Sequence, residues 1–183
     1  MKIPALLAAM LLALAPVAAA AAGPAVLAVS AAPRVPSAPA APGAWRWPLN
    51  PRPAVLRPFD PPPRPWLSGH RGVDLAAASV GAPLTAPAAG TVSFAGVVVD
   101  RPVISIDHGN GLRSSFEPVE SQLPVGAFVP DGGLLGTVLP GHCGPVPCVH
   151  WGVRRGEEYV NPLGFVMDLR PSILLPPLDP APG

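Results

Sequence analysis

Gly90-Thr91-Val92-Ser93-Phe94-Ala95-Gly96-Val97-Val98-Val99, with Pro102-Val103-Ile104-Ser105-Ile106-Asp107 close behind, is the stretch that decides the fold. Both runs are β-branched and end at turn residues, the mark of strands rather than helices. Asn110-Gly111 is a tight-turn pair and leads into Leu112-Arg113-Ser114-Ser115-Phe116. Outward from there the pattern repeats. Val73-Asp74-Leu75-Ala76, Ala127-Phe128-Val129, Leu134-Leu135-Gly136-Thr137-Val138 and Val149-His150-Trp151-Gly152-Val153 are short runs separated by glycine and proline. No segment has the periodicity of an amphipathic helix. Strands at this spacing predict an all-β fold, an antiparallel sandwich or barrel.

Composition narrows the class. Thirty of 183 residues are proline, without the glycine period of collagen. The formal net charge is +1 and no basic block exists, which excludes a nucleic-acid partner held by phosphate neutralisation. Lys2 is the only lysine; the other basic residues are arginines.

Lys2 followed by the apolar run from Ile3 and the small residues near Ala22 reads as a signal peptide over residues 1–22. The rival reading is a retained anchor, because the apolar run extends to Val29. Alanine richness, Pro16 and Pro24 argue against a spanning helix. Either way the rest of the chain is expected outside the cytoplasm, secreted or on the cell wall, with no membrane span in the mature chain. Residues 23–44 read as an Ala/Pro-rich linker. From Trp45 the prolines mix with Trp47, Leu49, Leu56, Phe59 and Trp66, which predicts an extended strap lying on the domain. The folded unit is expected over 45–169, with a loose Pro-rich tail at 170–183.

Two patches could carry chemistry. In His70-Arg71-Gly72-Val73-Asp74, strand alternation puts residues 70, 72 and 74 on one face. Gly72 then leaves room between an imidazole and a carboxylate, two suitable zinc ligands. In Cys148-Val149-His150-Trp151-Gly152-Val153-Arg154-Arg155, residues 148 and 150 share a face and Trp151 points to the core. Taken alone, either patch also fits a salt-bridged aspartate or an interior histidine.

Together, in this order, they resemble the LytM/lysostaphin-type zinc metalloendopeptidase family. The resemblance runs from about Trp47 to Leu163. It includes Trp47-Pro48-Leu49, His70 to Ala76, Gly81-Ala82-Pro83-Leu84-Thr85-Ala86, Ile106-Asp107-His108-Gly109-Asn110-Gly111-Leu112, Leu135-Gly136, His150 and Asn161-Pro162-Leu163. It implies one Zn²⁺ ion held by His70, Asp74 and His150. It also implies cleavage of peptide bonds in bacterial cell-wall peptidoglycan by a zinc-activated water.

Two departures stand beside the match. The family's last motif is His-x-His, and its first histidine is Cys148 here; its other assisting histidine falls at Pro118. Losing a positioned acid or base costs on the order of 10²–10⁴ in rate. His142, on the Gly141-His142-Cys143-Gly144 loop, is the candidate substitute donor. Glu117 is a weaker one, since neighbours 117 and 118 face opposite ways on a strand unless a bulge intervenes. His108, beside a turn, is expected in solvent. An even cysteine count in an exported chain favours a Cys143–Cys148 disulfide. The rival is Cys148 as a thiolate fourth ligand, which would close the site. Arg113, Arg154 and Arg155 could meet stem-peptide carboxylates.

Three readings follow. One is a secreted zinc peptidase acting on peptidoglycan stem peptides or crosslinks. Another is an inactive zinc-containing relative that binds peptidoglycan or regulates another cell-wall hydrolase. The third is a swinging-arm carrier, suggested by Gly126 to Gly136, and it fails because those domains need a lysine acceptor and the mature chain has none.

Overall fold

The computed structural model describes residues 44–170. The signal segment, the linker and the tail lie outside the described residues, apart from Ala44 and Arg170. Eleven strands follow in chain order: β1 Val55–Arg57, β2 Val73–Ala76, β3 Pro83–Thr85, β4 Gly90–Val98, β5 Arg101–Asp107, β6 Leu112–Glu117, β7 Val119–Glu120, β8 Phe128–Val129, β9 Leu134–Val138, β10 Cys148–Arg155 and β11 Glu158–Val160. A single helical turn, α1 Leu163–Val166, follows.

The larger sheet runs β1-β2-β10-β6-β5-β4-β8, with β11 pairing to β10, and the smaller runs β3-β9-β7. The strand pairs are antiparallel. The alternation read at residues 90–116 builds the centre of the larger sheet. Val92, Ile104, Ile106, Leu112, Ser114 and Phe116 point inward and are buried. Phe116 and Trp151 stack at 6.0 Å between ring centroids, each fully buried. Each such side chain contributes about 1.5–3 kcal/mol through the apolar surface it removes from water.

The strap lies on this core over its first half. Trp45 and Leu49 are buried, and Trp45 stacks on Phe165 at 4.4 Å. Its backbone N–H donates to the Phe165 carbonyl. Leu56 and Trp66 face solvent instead, so the strap's grip ends near Phe59. Three other expectations are corrected. His70 to Gly72 are not strand: His70 forms an isolated bridge with Asp60, and β2 starts only at Val73. The Asn110-Gly111 pair is part of a four-residue loop, because His108 N–H bonds the Leu112 carbonyl and Asp107 Oδ1 accepts from Gly109 N–H. His108 is half-buried under Trp45, 4.5 Å between rings, rather than in solvent. No described helix is long and apolar enough to cross a membrane.

Candidate metal centre

The centre forms where β10 lies between β2 and β6. Register puts Asp74, His150 and Glu117 in one row across the three strands, so their side chains share a face. His70 arrives from outside the sheet, delivered by the Asp60 bridge. Its Nδ1 lies 2.6 Å from the Pro58 carbonyl oxygen. A carbonyl only accepts, so Nδ1 carries the proton and the bare Nε2 faces the centre.

Three donor atoms meet there. His70 Nε2 lies 3.0 Å from Asp74 Oδ1 and 3.1 Å from His150 Nδ1, and His150 Nδ1 lies 2.8 Å from Asp74 Oδ1. His70 and Asp74 are each 5% exposed, so water does little to separate these groups. Zinc takes nitrogen and oxygen ligands at about 2.0–2.2 Å in a tetrahedron, which sets neighbouring donors about 3.3 Å apart. The observed triangle needs to open only by a few tenths of an ångström. A bare imidazole nitrogen turned toward a carboxylate oxygen and a second imidazole is an arrangement that a cation reconciles. Two neutral nitrogens and one carboxylate are also a common zinc donor set.

Gly72 makes the approach. A Cβ at that position would lie 2.6 Å from His150 Nε2 and would press on the Trp151 carbonyl. The space it leaves is filled by the His150 ring, rather than separating His70 from Asp74.

His142 joins the centre through the same carboxylate: its Nε2 lies 3.0 Å from Asp74 Oδ1. Burial alone raises the Asp74 pKa. The hydrogen bonds its carboxylate accepts outweigh that and hold the carboxyl below its usual range. Cys143 and Cys148 are bonded to each other, S–S 2.07 Å. Cys143 also falls within ligand range of Asp74 and His142, but a disulfide sulfur is no thiolate, so that second grouping is not a metal site. The bridge ties the His142 loop to the start of β10.

The parity argument against Glu117 is corrected by the register, which places it directly opposite His150. Its carboxylate turns to Arg101, whose Nη1 lies 3.5 Å from Oε1. The same Nη1 lies 3.3 Å from His142 Nδ1. Arg101 carried no signal in the sequence, since only the β4–β5 hairpin brings it here. The Pro58 carbonyl was equally hidden, being backbone. Arg113 and Arg154 lie away from the centre, paired with Asp107 and Glu157.

Comparison with known proteins agrees with this geometry. The model of Peptidase family M23 matches residues 68–162. An uncharacterized protein of Mycobacterium tuberculosis is 45% identical over 126 residues, 66% of this chain and 50% of that one. The chain thus spans about half the length of the curated relatives it matches. Among solved structures, Csd3 of Helicobacter pylori is 27% identical with a TM-score of 0.53, over 73% of this chain and 36% of that one. A putative peptidase M23 from Pseudomonas aeruginosa is 31% identical with a TM-score of 0.51, over 71% of this chain and 55% of that one. The fold, the His70–Asp74–His150 cluster and the matched stretch agree: this chain belongs to peptidase family M23.

Proposed function

We propose that this protein is an exported zinc endopeptidase that hydrolyses peptide bonds in peptidoglycan stem peptides or crosslinks. The observation that carries this reading is the convergence of His70 Nε2, Asp74 Oδ1 and His150 Nδ1, with the His70 tautomer set by Pro58. These three would hold a zinc ion, which would supply activation of a water and polarisation of the substrate carbonyl. The overall reaction adds water across the peptide bond: oxygen bonds the carbonyl carbon, the C–N bond breaks, and the water's proton ends on the amine.

His142 takes over part of the work of the two histidines replaced by Cys148 and Pro118. Its Nε2 lies against Asp74 Oδ1, and the N–H there is shared with negative charge developing on the substrate carbonyl oxygen. Export accords with the N-terminal residues 1–22 and with a disulfide, which persists in oxidising compartments.

The test is zinc analysis of purified protein, then incubation with peptidoglycan and measurement of new amino termini. Hydrolysis lost on His150→Ala supports the reading, and hydrolysis retained on His142→Ala removes His142 from it. A second reading rests on Cys148 being locked in the disulfide and Pro118 having no proton to give. It is a zinc-containing module that binds peptidoglycan or regulates another cell-wall hydrolase. Bound zinc with retention on peptidoglycan but no new amino termini would favour it.

A further inference from the structure

We infer that Arg101 is the positioning residue of this centre: it fixes His142 as an Nε2–H donor aimed at the metal face, and Glu117 holds Arg101 in place. The inference deepens the peptidase reading and rests on it for the identity of the reaction.

The argument begins with which atoms can donate. A guanidinium carries N–H groups and no acceptor. Arg101 Nη1 lies 3.3 Å from His142 Nδ1, so Nδ1 accepts. The one proton of a neutral imidazole is then on Nε2. At the ring's other end Nε2 lies 3.0 Å from Asp74 Oδ1, a carboxylate oxygen that accepts. Both contacts demand the same tautomer. His70, in the same centre, is set the opposite way, because a carbonyl rather than a guanidinium meets its Nδ1. One histidine therefore presents a lone pair to the centre and the other presents a proton.

Three stretches of chain have to meet for this. Arg101 opens β5 just after the Val99-Asp100 turn. Glu117 ends β6 opposite His150, with its Oε1 3.5 Å from Arg101 Nη1. His142 rides on the loop closed by Cys143 and Cys148. Pairing with Glu117 limits the rotamers of a long, partly exposed side chain, which keeps Nη1 facing His142.

The consequence is chemical. An imidazole held with Nδ1 bare and Nε2 protonated cannot take a proton at Nε2. Its one N–H, donated to Asp74 Oδ1 here, can be shared with an oxygen that becomes negative in the transition state, which is the role with the largest typical effect on rate. His142 thereby acts as an electrostatic donor and not as the proton-taking base that the missing histidines would suggest.

The test uses the zinc-loaded full chain with ¹⁵N-labelled histidine. Long-range ¹H–¹⁵N correlation reads which ring nitrogen of His142 carries the proton. Wild type should show Nε2–H with Nδ1 bare. Arg101→Met should move His142 toward a tautomer mixture at unchanged zinc content. A His142 ring that stays fully Nε2–H in Arg101→Met overturns the proposal. In stem-peptide cleavage, Arg101→Met should lower kcat about 10- to 100-fold with KM within about twofold. Added to His142→Ala, it should lower kcat no further. Independent, multiplying losses overturn the proposal, because Arg101 then acts on substrate without His142. If wild type cuts nothing while the tautomer still responds to Arg101→Met, the peptidase reading falls and the positioning role stands.

Discussion

The His150 ring occupies the place where Gly72 has no side chain: a Cβ there would lie 2.6 Å from Nε2 and 2.7 Å from Cε1. The same Cβ would meet the Trp151 carbonyl, which belongs to a paired strand and cannot yield. Gly72→Ala should therefore push His150 off the centre. Overpacking of this kind costs about 1–3 kcal/mol. Zinc affinity should fall by at least about tenfold, the lower range for disturbed ligand support. Zinc titration of folded variant checks this, and wild-type affinity would refute the packing argument.

Metal removal should be visible in stability. A site that binds only the folded chain stabilises it by about 2.7 kcal/mol at a free zinc concentration 100 times Kd. For a domain of this size that is a Tm shift on the order of 10 °C. A chelator should lower Tm by that order in wild type and leave His70→Ala and Asp74→Ala unmoved. Equal chelator responses in all three would place the zinc elsewhere.

The disulfide should matter more for His142 than for the ligands. Its cysteines are 5 apart in sequence, so it closes a short loop. Chain entropy for a loop of that length gives about 2 kcal/mol. Cys143→Ala with Cys148→Ala should lose about that much stability yet keep stoichiometric zinc, because Asp74 is on β2, His150 on β10 and His70 on the segment bridged to Asp60. Cleavage should fall toward the His142→Ala level. Loss of zinc in the double variant would show that the loop supports the ligands as well.

His108 should add pH dependence away from the centre. Its Nδ1–H donates to the Ala89 carbonyl and its Nε2 accepts from Ser114, which in turn accepts from Trp151 Nε1. Burial lowers its pKa from the usual 6.5, outweighing the raising effects of the Ala89 carbonyl and Asp107. The unfolded chain then binds the proton first as pH drops, so His108 withdraws stability below about pH 6.5 and not above it. His108→Gln should flatten the wild-type decline between about pH 7 and 5. Parallel stability curves for the two proteins would show that another group sets the slope.

Val99 sits at the hairpin tip with φ +60 and is 98% exposed. A β-branched residue in the left-handed region is strained, by roughly 1–2 kcal/mol. Glycine removes that strain but frees the unfolded chain, so Val99→Gly should gain about 0.5–1 kcal/mol. Denaturant midpoints measure it, and a loss would show that Val99 carries no such strain.

The sequence by itself determined most of the strands and singled out His70, Asp74 and His150, which the fold brings together. Alternation is a local property, and it marked β2 and β9 to the residue and most of β4, β5, β6 and β10. Apart from β8, short edge pieces were not legible: β1, β3, β7 and β11 are two or three residues long, and α1 is one turn. Nothing that short has a period, and its partner in space defines it. The His70–Asp74 pairing was read correctly for a wrong reason, since a bridge to Asp60 and not strand alternation brings His70 in.

Only the tertiary structure decided what surrounds the ligands. Register across three strands put Glu117 beside His150, a hairpin delivered Arg101, and a closed loop turned His142 inward. A proton's position on an imidazole depends on which atom lies against each nitrogen. That is a contact between residues 41 apart for Arg101 and His142, and no local pattern encodes it.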